Sequence, residues 1–149
     1  MQNAKLLIQN EAIDINSIIQ AMAESAVKSL LGMLSGQYIS IIKPPQTGLL
    51  MMTVQDSFDT DFYLGEILVT EAEVEWRGKI GYAMVMGDEP EKAMLAASID
   101  AVMQGDNEDL KKLLRGFLSE QNEKINSIRA KESVLVAKTK VSFESMSKG

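Results

Sequence analysis

The sequence predicts an α+β fold, with an antiparallel sheet of about four strands, an N-terminal helix before it and two or three C-terminal helices after it. Three observations predict this class. Apolar residues recur every three or four positions near the N-terminus, runs of strand-forming residues fill the middle, and helical spacing returns after residue 88. With 149 residues the chain has the size of one domain, so we expect residues 1–149 to fold as a single domain.

The N-terminal helix is predicted to begin at a capping Asp14 or Asn16 and to end near Gly36. Its apolar positions keep a helical repeat: Ile15, Ile18, Ile19, Met22, Ala26, Leu30 and Met33. Four strand-forming runs follow at residues 38–42, 49–54, 62–76 and 80–86. Pro44 and Pro45 separate the first two runs and predict a hairpin there, and Arg77-Gly78 turns the third run into the fourth.

A helix start is indicated after the sheet by a capping Asp88, Pro90 in the first turn and Glu91 three residues after the cap. We expect this helix to reach Gly105. A further helical region begins near Asn107 and continues as a polar helix through Ile128, while residues 134–143 suit either a helix or an extended segment.

The composition excludes several kinds of active site. Histidine and cysteine are absent, which excludes Ser-His-Asp and Cys-His sites, the usual zinc ligands and a disulfide framework. No glycine-rich loop has the spacing of a P-loop or a dinucleotide fingerprint. Asp56, Asp59 and Asp61 invite a cation site, but they lack the Gly and closing Glu of a calcium loop, so a solvated turn is favoured. We predict no catalytic residue, no cofactor and no metal in this chain.

The net charge of -6 argues against nucleic acid and anionic membranes as partners. No apolar run is long enough to span a membrane and no leader pattern is present, so a cytoplasmic location is expected. Residues 122–149 nevertheless carry six cationic side chains against three carboxylates. This segment is a candidate helical or extended tail that docks on a partner, and ordinary solvated charge is the alternative.

The predicted helix from Glu91 to Met103 is apolar around its whole circumference, so both of its sides should be covered. One side should face its own sheet. The other side faces either another chain or the C-terminal helices of the same chain, and the ten methionines of the sequence slightly favour another chain. The candidate partner interface is Met94, Ala97, Asp100, Ala101, Val141 and Phe143.

Several short motifs occur in a specific order: TGLLM at 47–51, FYLGE at 62–66, VTEA at 69–72, GY through Gly87 from residue 81, AASIDA at 96–101, and KVSF at 140–143. In this order and spacing the chain resembles the G subunit of the carbon–phosphorus lyase core complex of bacterial phosphonate metabolism. The resemblance covers roughly residues 44–104 and returns at the KVSF motif.

The resemblance implies an accessory role in a transferase complex of the alpha-D-ribose 1-methylphosphonate 5-triphosphate synthase type. Together with its sister subunits, such a subunit transfers the ribose triphosphate of ATP to an alkylphosphonate and adenine is released. It also implies a close contact with the I-type subunit, whereas the later iron–sulfur radical chemistry belongs to the J subunit. No catalytic residue is carried over to this chain by the resemblance.

Two alternatives remain at this point. A free-standing homodimeric ligand-binding or regulatory module would bury the same methionine-rich surface against its own copy. An independent phosphohydrolase is the weaker alternative, because carboxylates, Lys, Arg, Ser, Thr and Tyr are the available catalysts.

Overall fold

The computed structural model describes residues 5–8 and 11–146, with side chains from residue 14 to residue 139. A two-stranded antiparallel sheet of β1 (Lys5–Ile8) and β2 (Glu11–Asp14) comes first. Then follow α1 (Ile15–Ala21), α2 (Glu24–Leu34), β3 (Ser40–Gln55), β4 (Asp61–Trp76), β5 (Lys79–Met86), α3 (Pro90–Gln104) and α4 (Glu108–Met146).

The central sheet is antiparallel and has three strands in the order β3-β4-β5, which confirms the α+β class with one strand fewer than predicted. Residues 40–42 of the first run and the whole run at 49–54 are parts of the single strand β3, so the hairpin predicted between them is wrong. Pro44 and Pro45 do not end the strand, because β3 lies at the sheet edge and its pairing with β4 is irregular between Ile41 and Gln46. The real hairpin joins β3 to β4.

The predicted N-terminal helix is divided into α1 and α2 by extended backbone at Met22 and Ala23. Asp14 caps α1 as predicted, since its carboxylate accepts a hydrogen bond of 3.1 Å from the Asn16 N–H. The apolar repeat continues across the break, and Ile19, Val27 and Leu30 are all buried. Helical spacing therefore identified the buried face but not the interruption.

Helix α3 packs on one face of the sheet, against Ala72 and Val74 of β4 and Gly81 and Ala83 of β5. The approach is very close at Gly81, where a Cβ atom would lie 2.0 Å from the Ala97 carbonyl oxygen. The opposite side of α3 contacts α1, α2 and α4 of the same chain. The second side of α3 was expected to contact either another chain or helices of the same chain, and in the structure it contacts helices of the same chain.

The start of α3 differs from the prediction. The residue at the cap position is Glu89, which forms no side-chain cap, and Pro90 is the first helical residue. The hydroxyl of Thr70 on β4 accepts a 3.0 Å hydrogen bond from the Glu89 N–H and donates to the Gly87 carbonyl at 2.6 Å. The predicted Asp88 cap is wrong because a strand residue from the neighbouring layer binds the free N–H instead.

Helix α4 contains 39 residues and is roughly 60 Å long. Asn107 caps it by accepting a hydrogen bond of 3.1 Å from the Leu110 N–H. The predicted polar continuation is confirmed, and residues 134–143 are helical rather than extended. Leu110, Leu114 and Leu118 pack in the core, whereas every described side chain from residue 126 to residue 139 is exposed. In the described part of the chain no helix is both long and apolar enough to traverse a bilayer.

Candidate protein interface

The β3–β4 hairpin extends beyond the rest of the sheet. Strand β5 pairs with β4 only from Val69 to Trp76, so residues 61–68 of β4 pair with β3 alone. We call residues 46–68 the arm: a two-stranded ribbon with its closing turn. An isolated ribbon of this kind is only marginally stable in water, because it has neither a third strand nor a second layer to pack against.

The arm exposes large apolar side chains on both of its faces. The exposed ones, with exposed fractions from 41% to 85%, are Leu49, Leu50, Met51, Met52, Val54, Phe58, Phe62, Tyr63, Leu64 and Leu68. Phe58 in the turn is 85% exposed, Met51 is 70% exposed and Leu64 is 61% exposed. A contiguous apolar surface of this kind on a folded chain marks a site of protein–protein contact.

The turn at the tip of the arm is built by Asp56. One carboxylate oxygen of Asp56 accepts hydrogen bonds of 2.9 Å from the N–H groups of Phe58 and Thr60. Asp59 has a φ angle of 58°, in the left-handed region that Asp tolerates in turns. The predicted turn is therefore confirmed, with Asp56 as its organising residue.

A groove lies at the root of the arm and has a volume of about 430 Å³. It is lined by Leu50, Ile67 and Val69 from the arm and its base, by Met84 and Met86 of β5, and by residues of α1. The side chain of Arg129 on α4 also lines it, so α4 leaves the body next to the arm's base. The groove thus combines apolar residues of the sheet with polar residues of α1 and the cationic Arg129.

A polar cluster occupies the sheet face opposite α3. Lys43 forms an ion pair with Glu71, and the Tyr82 hydroxyl donates a 2.7 Å hydrogen bond to the other Glu71 oxygen. The hydrogen bond from Lys43 lowers the pKa of Glu71, and burial together with the hydrogen bond to Glu71 raises the pKa of Tyr82 to about 12. Glu71 therefore stays ionised and Tyr82 stays protonated near neutral pH, which does not suit them to general acid–base catalysis.

A match to a protein-family description covers residues 13–149, and that family is described as phosphonate metabolism protein PhnG. The chain belongs to the PhnG family. The match extends over the arm, the groove and α4, and it confirms the resemblance described above. Membership assigns the chain to phosphonate metabolism and implies protein partners. A search of curated proteins found no match to this chain.

The predicted interface residues of this PhnG-family chain fall in three environments. Ala97 and Ala101 are completely buried against the chain's own sheet, so they offer no surface to a partner. Met94 and Asp100 are partly exposed, and partner contact there stays a prediction. Val141 and Phe143 lie in the helical backbone of α4, and their side chains fall outside the described residues.

Asp100 obtains its hydrogen bonds within the chain. Its carboxylate accepts from the Tyr82 N–H at 3.0 Å and from the Gln104 side-chain amide at 3.3 Å. Burial raises the pKa of Asp100, and the two donors partly oppose this shift. The partly buried carboxylate of Asp100 is therefore hydrogen-bonded by a strand backbone group and a side chain of its own chain.

Sequence reasoning missed the arm as the principal apolar surface. The signal was present, because four consecutive apolar residues at 49–52 must place apolar side chains on both faces of a strand. Such a pattern is typical of a strand covered on two sides. This chain provides no cover for that part of β3 within its described residues.

Proposed function

We propose that this chain is a cytoplasmic, non-catalytic accessory subunit of the carbon–phosphorus lyase core, and that its arm docks on a sister subunit, chiefly the I-type subunit. In this role it supports the transfer of the ribose triphosphate of ATP to an alkylphosphonate with release of adenine. The single observation that carries the proposal is the arm, with apolar side chains exposed on both faces in a chain of the PhnG family.

Two further features support docking near the arm. The groove at its root provides a concave apolar surface into which partner side chains can pack. Next to it, the exposed end of α4 carries apolar residues on a basic segment, including Ile128, Leu135 and Val136. A partner seated against the arm would therefore meet α4 as well, which would give the tail the docking role predicted for residues 122–149.

Co-purification of the tagged chain with the I-type subunit tests the docking surface. Leu64→Asp introduces a charge on the arm and should abolish co-purification, because an unpaired carboxylate would be buried in the interface. Leu113→Asp is the matched control, because Leu113 is also exposed, at 52%, but lies on α4 and not on the arm. Retention of the I-type subunit by Leu64→Asp, or its equal loss in both variants, would contradict docking through the arm.

Adenine release tests the accessory role separately. The isolated chain, given ATP and an alkylphosphonate, should release no adenine, whereas the assembled core should release it. Adenine release by the isolated chain that disappears on mutation of one of its own residues would overturn the non-catalytic assignment.

A further inference from the structure

The two outer edges of the central sheet differ in whether side chains hydrogen-bond to their backbone. At the β5 edge, the Gln20 side chain accepts a hydrogen bond of 2.6 Å from the Met86 N–H and donates one of 3.0 Å to the Met86 carbonyl. The Tyr82 N–H donates to Asp100 at 3.0 Å, and Gln104 donates to the Ile80 carbonyl at 2.7 Å. Side chains from α1 and α3 therefore close this edge to a further strand.

The edge of β3 is open in the arm. From Gln46 to Gln55, no side chain in the described part of the chain hydrogen-bonds to the β3 backbone. The irregularity in the arm's pairing is an extra residue on β4, Leu64, so β3 itself remains regular over this segment. Lys43, Pro44 and Pro45, which are typical protections of an edge strand, all lie before it.

We propose that this edge pairs antiparallel with the same segment of a second copy, so that two three-stranded sheets join into one six-stranded sheet. The segment QTGLLMMTVQ carries no charged side chain, so self-pairing brings no like charges together. The β5 edge is closed, and the part of β4 in the arm that β5 does not cover carries two charged residues, Asp61 and Glu66, and the bulge at Leu64. Charges and bulges protect an edge from pairing with a further strand, so association stops at a dimer instead of continuing into a fibre.

Symmetry and proline positions determine the pairing. A two-fold axis perpendicular to the sheet keeps each residue on its own face, so the axis must pass midway between one residue and the same residue of the second copy. With Met51 at the axis, Thr47 pairs with Gln55 of the second copy and both prolines stay outside the ladder. With Leu50 at the axis, Pro45 would enter the ladder opposite Gln55, and with Met52 at the axis the paired segment would be shorter.

This inference goes beyond the proposed function and does not depend on it, because the β3 edge and the faces of the arm are different surfaces. The first test is self-association of the isolated full chain, measured by size-exclusion chromatography with light scattering. The wild type should have the mass of a dimer, and Met51→Lys and Met51→Glu should each weaken self-association about tenfold or more by placing like charges opposite each other.

An equimolar mixture of the Met51→Lys and Met51→Glu chains should restore the dimer, because the charges across the axis are then opposite. Met86→Lys is the matched control: Met86 is 57% exposed and lies on the closed β5 edge, so this variant should remain a dimer. A monomeric wild type, a mixture that stays monomeric, or an equal effect of Met86→Lys would overturn the proposal.

Cysteine cross-linking gives a second measurement that needs no charge at the edge. The chain has no cysteine, so Met51→Cys introduces the single thiol of the molecule. Directly opposed residues in an antiparallel pair have Cα atoms about 4.5–5.5 Å apart, within the Cα separation of about 4.4–6.8 Å that a disulfide allows. Mild oxidation should convert Met51→Cys largely into a covalent dimer and leave Met86→Cys largely monomeric. Equal cross-linking of the two variants would contradict pairing centred on Met51.

Discussion

Gly81 is the residue at which the sheet and α3 approach most closely. A Cβ atom there would lie 2.0 Å from the Ala97 carbonyl oxygen and 2.6 Å from the Ala101 nitrogen, and neither backbone atom can move without shifting α3. Gly81→Ala should therefore destabilise the chain by about 1–3 kcal/mol, measured by urea denaturation. Gly116→Ala is the control, because open space surrounds Gly116 and alanine should stabilise α4 by up to about 1 kcal/mol. Unchanged stability in Gly81→Ala would contradict the close packing of α3.

The raised pKa of Asp100 makes a prediction about pH. Because its pKa is higher in the folded chain than in the unfolded chain, folding favours the protonated carboxyl group. Its favourable contribution is complete below the unfolded pKa and is lost as the pH rises through the folded pKa. Asn keeps an oxygen that accepts from Tyr82 and removes the buried charge.

Asp100→Asn should therefore gain stability relative to the wild type as the pH rises from strongly acidic to neutral, by a few tenths of a kcal/mol because the carboxylate is only partly buried. Denaturation curves across this pH range measure the difference. A stability difference that shrinks toward neutral pH would show that the hydrogen bonds to the charged carboxylate outweigh its burial.

At the scale of elements, the arm has exposed faces and few contacts with the core. Leu49 pairs with Leu68, so replacing residues 50–67 by Asn-Gly would close the two strands with a two-residue turn. The shortened chain should melt within a few degrees of the wild type and lose the I-type subunit, because the removed side chains are largely exposed. Circular dichroism melting and co-purification measure the two effects. A shortened chain that no longer folds would place the arm in the folding core instead.

The end of α4 makes a separate prediction. Described side chains from residue 126 to residue 139 are exposed, so this part of the helix contributes little to the core. Deleting residues 139–149 should leave the melting temperature nearly unchanged and weaken assembly with the sister subunits. Unfolding of the truncated chain would show that the tail is required by its own domain.

For the whole molecule, which has a net charge of -6 and an apolar arm, the thermodynamics of binding to the I-type subunit should show which of the two dominates. If the arm supplies most of the binding free energy, titration calorimetry of the chain with the I-type subunit should give a negative heat-capacity change. The affinity of the chain for the I-type subunit should also change by less than about tenfold between low and high salt. A steep loss of affinity in salt would instead identify the basic tail as the main contact.

Much of the fold of the whole molecule was predictable from the sequence, because the patterns that specify its helices and turns are local. Helical spacing located α1, α2, α3 and the core part of α4, and the Arg77-Gly78 turn between β4 and β5 was correctly predicted. The composition also determined which catalytic sites the chain cannot build, since no fold supplies a histidine or cysteine that the sequence lacks. The order of the motifs was sufficient to predict the family to which the chain belongs.

The tertiary structure decided which apolar surfaces are covered. In the sequence, α3 and the 49–52 run are both apolar on all sides, yet α3 is buried by the sheet and three helices while the run is exposed in the arm. The difference arises because β5 pairs with β4 only as far as Val69 and does not reach the outer half of the hairpin, which no local pattern specifies. The hydrogen bond at the start of α3 likewise depends on Thr70, nineteen residues before Glu89. The open edge of β3 becomes apparent only from the strand order. Burial and edge exposure are relations between distant segments, so the sequence alone determined the elements and the structure determined which of their surfaces remain free.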